Sequence, residues 1–297
     1  MFKRPPQPTT ARTCSDGSGA LRISLAAETT NHTGTETARM NIKNAIRRLI
    51  NRFGYDIQPL TKTSGNIRRT IGESYSLIRG LGFQPKTIVD VGVGSGTMEL
   101  YTAFPESYFL LLEPLKEFES NLISILKRYK GSYVLAAAGS RCGHVTFNVH
   151  KNHLEGSSLY KESMGPEADG QEVTVPMIRI DDILKDKQLD GPYLIKIDVQ
   201  GAELDAIEGA QQSLSKAELV VLEVSLFEFM KGAPQFFDVV SYMKNRSFVA
   251  FDIILGWNRP LDNALGQIDI VFVKDKGMFR QDHSYSRIEQ MKALFSS

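Results

Sequence analysis

Glycines and a carboxylate with the spacing of a nucleotide-binding site stand near the start of a predicted sheet. Residues 87–91 form a β-branched run typical of a buried strand and include Asp90. The turn that follows carries Gly92, Gly94, Ser95 and Gly96. Such a turn brings backbone N–H groups close to a ligand. The next predicted strand, residues 108–112, ends in Glu113-Pro114, where an acidic side chain can bind both hydroxyls of a ribose. The two features predict a nucleoside-cofactor site.

The spacing of the glycines discriminates between cofactors. A dinucleotide fingerprint would place its third glycine at position 97, where the chain has Thr97. The alternate glycines, preceded by Asp90, instead resemble the first motif of class I S-adenosylmethionine-dependent methyltransferases. A nicotinamide oxidoreductase on the same fold is the alternative, and Thr97 argues against it.

A lysine and an aspartate interrupt an otherwise apolar strand, residues 193–199. Lys196 and Asp198 are two residues apart, so they face the same side of the strand, roughly 7 Å apart. A lysine in a central strand is costly unless it is paired. One interpretation is a structural ion pair of Lys196 with Asp198 or Glu223. We favour a catalytic pair, because this class of sheet binds its ligands beyond the carboxyl ends of the strands.

Strands alternate with amphipathic helices over most of the chain. The predicted strands are residues 87–91, 108–112, 133–138, 145–150, 172–180, 193–199, 219–224, 248–254 and 268–274. The predicted helices include residues 74–81, 117–130, 203–214 and 236–245. This alternation predicts an α/β domain whose doubly wound, mostly parallel sheet carries helices on both faces.

The segment from Ile195 to Ala210 resembles the hallmark of the FkbM-type methyltransferase family. Further matches are the loop 90–96, Glu113-Pro114, residues 136–139, 157–159, 180–182 and 221–223. The similarity covers residues 87–225. Gln200 departs from the glutamate that the family usually has there, and Gly94 from an alanine followed by asparagine.

This resemblance implies a seven-stranded, Rossmann-like methyltransferase fold and O-methyl transfer from S-adenosylmethionine. The acceptor would be a hydroxyl of a sugar, a glycan or a polyketide-like small molecule. The residues expected to bind the cofactor are Asp90, Gly92, Gly94, Ser95, Gly96, Glu113, Pro114, Ala137, Val199 and Gln200. A catalytically silent binding protein is a second alternative, favoured only by Gln200.

A hydroxyl that receives a methyl group must lose its proton to a nearby base. We expect Asp198 to be that base, oriented by Lys196, with His153 as the rival. His153 belongs to a cluster with His144 and His150, but no cysteine or H-x-E spacing supports zinc, so no metal is expected. The long polar segment 152–170 is expected to cover the ligands, with residues 156–158 reaching them.

Composition excludes several classes of protein. The chain is 42% hydrophobic and 23% charged, and it has no apolar run long enough to span a membrane. Cys14 and Cys142 do not suggest a disulfide framework, which fits the cytoplasm. Residues 71–297 carry an excess of acidic side chains, which would repel phosphate and argues against a nucleic-acid substrate.

The chain divides into four predicted regions. They are residues 1–39, an extension without a core; 40–73, a basic amphipathic helix and lead-in; 74–280, the methyltransferase domain; and 281–297, a C-terminal tail. The helix 40–53 is interpreted as packing on the domain, with contact to anionic lipid at the inner face of the membrane as the alternative. Because the composition changes abruptly at Met40, we expect Met40 to be the native initiator.

Overall fold

The computed structural model describes residues 68–295, which contain a seven-stranded sheet. The strand order is β3-β2-β1-β7-β8-β10-β9, and every neighbouring pair is parallel except those made by β10. The strands are β1 (Thr87–Val91), β2 (Tyr108–Leu112), β3 (Gly131–Val134), β7 (Tyr193–Ile197), β8 (Ala217–Ser225), β9 (Phe248–Leu255) and β10 (Gln267–Lys274). The predicted α/β, doubly wound, mostly parallel seven-stranded sheet is confirmed.

Helices cover both faces of this sheet. They are α1 (Ile71–Gly80), α2 (Met98–Ala103), α3 (Glu119–Leu126), α4 (Ile180–Asp186), α5 (Glu203–Glu208) and α6 (Phe236–Asn245). A further helix, α7 (Ile288–Phe295), contains no buried residue. Side chains of α1, α2 and α3 pack on one face in a core that includes Tyr75, Leu100 and Ile125. Those of α4, α5 and α6 pack on the other, with Ile183 and Met243. Successive residues of each strand point to opposite faces of the sheet, so the strands contribute apolar side chains to a core on each face.

The predicted third strand, residues 133–138, is wrong as a single element. The chain forms β3 in the large sheet and then β4 (Ala137–Ala138), which belongs to a second, three-stranded sheet of order β4-β6-β5. The other members are β5 (Gly143–Val149) and β6 (Gln171–Ile178), which pair antiparallel. The apolar residues are continuous in sequence, so the sequence alone does not show where one strand ends. The run divides into two strands because each half pairs in a different sheet.

Two predicted helices are shorter than their patterns indicate. The pattern over residues 117–130 contains a 3-10 turn, Lys116–Phe118, followed by α3. The helix predicted over 203–214 ends with α5 at Glu208, and Gly209 follows. A Cβ added to Gly209 would lie 2.1 Å from Gly139 O, so this position must stay a glycine where two backbones meet.

Several predictions concern residues outside the described range. The extension 1–39, the initiator Met40 and the amphipathic helix 40–53, with its membrane contact, all lie there. Within residues 68–295, no helix is long and apolar enough to cross a membrane.

Candidate active site

A cavity of about 470 Å³ lies beyond the carboxyl ends of β1, β2 and β7. This is where a doubly wound sheet binds its ligands. The residues predicted to bind cofactor or catalyse that line the cavity are Gly92, Gly94, Ser95, Gly96, Glu113, Pro114, Ala137, His153, Lys196, Asp198, Val199 and Gln200. The fold therefore brings these residues, taken from well-separated segments, to one place.

The turn after β1 requires glycine because it passes against the end of β7. Gly92 has a φ of +75°, and a Cβ added to it would lie 1.8 Å from Asp198 O. Gly96 has a φ of +110°, and its added Cβ would lie 2.9 Å from Ile125 Cδ1. The backbone conformation favours glycine at both positions, and at Gly92 the approach of Asp198 O leaves no space for any side chain, so the turn packs directly against the end of β7.

Backbone amides hold the Glu113 carboxylate at the wall of the cavity. Gly94 N donates to Oε2 at 3.0 Å, and Leu115 N donates to Oε1 at 2.9 Å. Burial raises the pKa of Glu113, and these two N–H groups oppose the rise. Each oxygen keeps acceptor capacity beyond its one amide, so the carboxylate can still accept two hydroxyls.

The Asp90 side chain, which we expected to contact the cofactor, does not line the cavity. It is fully buried beneath the glycine turn, where Tyr101 Oη donates to its Oδ2 at 2.5 Å and Lys196 Nζ lies 3.8 Å from Oδ1. Burial raises the pKa of Asp90, while Lys196 and Tyr101 lower it. Asp90 therefore positions the side chains that support the turn. Asp90 lies within β1, where all five residues are buried, and Tyr101 and Lys196 enclose its carboxylate.

Lys196 and Asp198 meet on one face of the sheet, as their spacing predicts. Lys196 Nζ lies 3.1 Å from Asp198 Oδ2, and the lysine is buried with 8% of its surface exposed. Burial alone would lower the pKa of Lys196, but attraction to Asp198 and Asp90 outweighs it and raises that pKa. The ammonium therefore stays charged and fixes the position of Asp198.

Gln200 joins two carboxylates through its side-chain amide. Its Nε2 donates to Asp198 Oδ1 at 3.2 Å and to Glu223 Oε2 at 2.8 Å. Gln200 also has a φ of +55°, a conformation uncommon for a residue with a side chain, and Ser158 Oγ donates to its carbonyl at 2.7 Å. Strained residues of this kind concentrate at ligand sites, because surrounding contacts must hold them in place.

Acidic side chains surround Glu223, which lines the far end of the cavity. Glu223 in β8 pairs in register with Asp269 in β10. Burial raises the pKa of Asp269 to about 6 and that of Glu203 to about 7. The pKa of Glu223 is also raised, first by burial and then by repulsion from Asp198, Glu203 and Asp269. Asp269 and Glu203 do not line the cavity themselves; they are charged neighbours of Glu223, which does, and the sequence did not single out either of them for this role.

The segment after β5 covers the cavity near the glycine turn. Ser95 Oγ donates to Glu155 Oε1 at 2.7 Å, which ties this segment to the turn. Of the three histidines, His153 lines the cavity, whereas His150 lies 3.5 Å from Glu162 Oε1 outside it. Within residues 68–295, no group of three or more His, Cys, Asp or Glu side chains is arranged to hold a metal ion.

Some of the lining residues that the sequence analysis missed lie at the far end of the cavity. They are Phe229, Trp257 and Gln267. Trp257 is the single tryptophan of the chain and lies in the connection between β9 and β10, with 74% of its surface exposed. An exposed tryptophan in a loop is a signal for binding that could have been used. Gln267 offered no signal, because its approach to the site depends on the reversed direction of β10.

Comparison with known proteins identifies the family. The model of the methyltransferase FkbM domain matches residues 90–250. No curated protein matches the chain.

Three solved structures of methylating enzymes are similar over much of their length. A Burkholderia thailandensis 1,6-didemethyltoxoflavin-N1-methyltransferase is 8% identical, with 84% of this chain and 93% of that one covered and a TM-score of 0.39. An rRNA methylase from Streptococcus thermophilus is 12% identical, with 71% and 99% covered and a TM-score of 0.40. Magnesium protoporphyrin IX methyltransferase from Synechocystis is 11% identical, with 78% and 96% covered and a TM-score of 0.38.

These scores are too low to carry a functional argument, so the assignment rests on the domain match and on the motifs that line the cavity. The match spans more than half of the chain, from the glycine turn through the carboxylates of the site. The chain belongs to the family of methyltransferases that the FkbM domain defines.

Proposed function

We propose that the protein transfers a methyl group from S-adenosylmethionine to a hydroxyl of a sugar, a glycan or a related small molecule. The observation that carries the proposal is the continuity of the cavity. One end is formed by the glycine turn and Glu113, and the other by Glu223, Gln267 and Trp257. A single space bordered by both sets of groups suits a reaction between two bound molecules.

The residues at the first end fit the proposed cofactor. The Glu113 carboxylate suits a ribose diol, and Leu115 and Phe118 add apolar wall beside it. Gly92 lets the turn pack against the end of β7, and Gly92, Gly94 and Gly96 all line the cavity beside Glu113. When bound, S-adenosylmethionine supplies an electrophilic methyl group on a sulfonium sulfur. The carboxylates around the cavity favour a cationic ligand of this kind.

The residues at the second end suit a neutral, hydroxylated acceptor. Trp257 and Phe229 offer ring faces, and Gln200 and Gln267 offer amides. Asp198 and Glu223 would repel a phosphate, sulfate or carboxylate group placed beside them. These carboxylates, with His153 as the alternative, can accept the proton that an alcohol loses.

The lining side chains support catalysis mainly by orientation. Lys196 holds Asp198 in place, and the link between Ser95 and Glu155 holds the covering segment against the glycine turn. A covered and pre-arranged site excludes water and aligns the reacting atoms, which can supply much of the acceleration in a methyl transfer.

Two measurements test the proposal. Calorimetry should give binding of S-adenosylmethionine and no comparable binding of a nicotinamide dinucleotide, which would instead favour an oxidoreductase. The protein should also transfer label from methyl-tritiated S-adenosylmethionine into the glycans and small metabolites of its own cells, and the product should gain the mass of one methylene group. Cofactor binding without any transfer would favour the catalytically silent alternative.

A further inference from the structure

The carboxylate of Glu223 presents one occupied and one free oxygen. Gln200 Nε2 donates to Glu223 Oε2 at 2.8 Å, and Gln267 Nε2 donates to the same oxygen at 3.1 Å. No hydrogen bond from the described residues reaches Oε1, which is nevertheless accessible rather than sealed within the protein. Because Glu223 lines the cavity, Oε1 is the oxygen available to a bound acceptor.

Asp198 differs from Glu223 in both of its oxygens. Lys196 Nζ donates to Asp198 Oδ2 at 3.1 Å, and Gln200 Nε2 donates to Oδ1 at 3.2 Å. Both Asp198 oxygens therefore already accept a hydrogen bond, whereas Glu223 Oε1 accepts none from the described residues and is the more open of the two to an acceptor hydroxyl. Asp198 was expected to be the base because it follows the end of β7 and because Lys196 was expected to orient it; its second partner, Gln200, was not predicted.

We propose that Glu223 is the residue that takes the proton of the acceptor hydroxyl, and that Gln200 and Gln267 position it. This inference rests on the proposed O-methyl transfer. In that reaction the new C–O bond forms and the C–S bond breaks, with its electron pair left on sulfur, while the hydroxyl proton passes to Glu223 Oε1. The carboxylate is neutralised, and the proton later leaves to solvent.

The charges around Glu223 suit this role. Burial and the carboxylates of Asp198, Glu203 and Asp269 raise the pKa of Glu223, and Lys196 opposes the rise. A raised pKa makes the deprotonated carboxylate a stronger base. Turnover should therefore fall as the pH decreases through this raised pKa, because only the deprotonated form accepts a proton.

Gln200 explains how this carboxylate is oriented. As an amide, Gln200 can donate to Asp198 and Glu223 at once, and it adds no negative charge. A glutamate at position 200, as in the family pattern, could donate only when protonated. Turnover of the Gln200→Glu variant should therefore be lower, and the decline of its turnover at acidic pH should begin at a higher pH.

The decisive comparison is between Glu223→Gln and Asp198→Asn in the full-length protein. The probe is label transfer from methyl-tritiated S-adenosylmethionine into extracts of the producing cells, with cofactor affinity measured separately by calorimetry. Glu223→Gln should lower turnover by roughly 10²–10⁴-fold with unchanged cofactor affinity. Asp198→Asn should lower it on the order of tenfold, as for a supporting hydrogen-bond partner.

Asp269→Asn is the matched control, because Asp269 pairs in register with Glu223 but does not line the cavity. The Asp269→Asn substitution removes a negative charge near Glu223. The decline of turnover at acidic pH should therefore move to a lower pH, and turnover at alkaline pH should be retained. A residue with only a structural role would not produce this shift.

A second readout does not depend on catalysis. In carbon-13 NMR of glutamate-labelled, cofactor-free protein, one of the carboxyls that titrate above the usual glutamate pKa of 4.5 should be absent from Glu223→Gln, while those of Glu113 and Glu203 remain. An ordinary titration, or transfer that is undiminished in Glu223→Gln, overturns the assignment of Glu223. If the unaltered protein transfers no label at all, the proposed function fails, and the assignment with it.

Discussion

The two ends of the cavity are built in different ways. At the glycine-turn end, main-chain N–H groups hold Glu113, and the participating residues lie within about one strand-helix-strand unit. At the other end, where we propose that the acceptor binds, side-chain amides hold Glu223. Glu223 lies in β8, and its partners Gln200 and Gln267 lie in the loop after β7 and in β10. A site made of main chain is fixed by backbone geometry, whereas a site made of side chains can change by single substitutions. We therefore expect the first end to be intolerant of change and the second to carry acceptor specificity.

The largest expected effect is that of Gly92→Ala. The added Cβ would meet Asp198 O at 1.8 Å, and φ is +75°, so β7 and the turn must separate. We expect a loss of about 3 kcal/mol or more in the free energy of unfolding, together with loss of cofactor binding. Urea denaturation and calorimetry measure the two effects.

Gly82→Ala is the matched control, because its φ is +92° but nothing lies within 4 Å of an added Cβ. Conformational strain alone should cost roughly 1 kcal/mol. If Gly82→Ala and Gly92→Ala lost equal amounts of unfolding free energy, the contact between an added Cβ at position 92 and Asp198 O would add nothing, and the prediction would be wrong.

The next effect concerns Glu113→Ala, which should weaken binding of S-adenosylmethionine at least about tenfold in a folded protein. The reason is the loss of charge-assisted hydrogen bonds, worth roughly 1.5–3 kcal/mol. Isothermal titration calorimetry measures the affinity. Glu117→Ala, four residues away and exposed, should leave it unchanged. Unaltered affinity in a folded Glu113→Ala protein would remove the assignment of the cofactor to this end.

The third prediction concerns the buried carboxyl group of Glu203, which is a neighbour of Glu223. Burial raises the pKa of Glu203 to about 7, so the folded protein binds this proton more tightly than the unfolded chain does. Stability from this group is therefore present below pH 4.5 and is lost as the pH rises towards 7. Glu203→Gln can still accept from Val199 N and Gly201 N, which donate to Glu203 Oε1 at 3.1 Å.

This substitution should raise the free energy of unfolding by roughly 1–3 kcal/mol at pH 8 and change it little at pH 4. Thermal unfolding at the two pH values measures the difference. The exposed Glu106→Gln should show no such dependence. A loss of stability at pH 8 would mean that the Glu203 carboxylate is favourably paired instead.

The smallest effect is expected for Trp257→Ala. Because this side chain is 74% exposed, its removal should leave folding and cofactor affinity unchanged. The KM for the acceptor should rise several-fold, as expected for loss of roughly 1 kcal/mol of ring contact. Label transfer at limiting concentrations of cell extract provides the measurement. Leu261→Ala, in the same connection but outside the cavity lining, should have no effect on this KM.

The contrast between the two ends also explains which parts of the site were predictable. The glycine turn, Glu113 and the pair of Lys196 and Asp198 depend on residues that are close in sequence, or on the fixed period of a strand. Their spacing therefore carried the prediction. The burial of Asp90 was missed because the sequence places it near the end of a strand without showing that Tyr101 and Lys196 enclose it.

The sequence alone established the alternation of strands and helices and the family, and it predicted the glycine turn and Glu113 that border one end of the cavity. Only the tertiary structure decided that Ala137 leaves the large sheet for a second one, and that β10 runs antiparallel between β8 and β9. The position of β10 between β8 and β9 places Asp269 opposite Glu223 and brings Gln267 Nε2 to the Glu223 carboxylate. Strand neighbours and direction depend on packing between segments far apart in the chain, whereas local spacing records only the conformation of each segment.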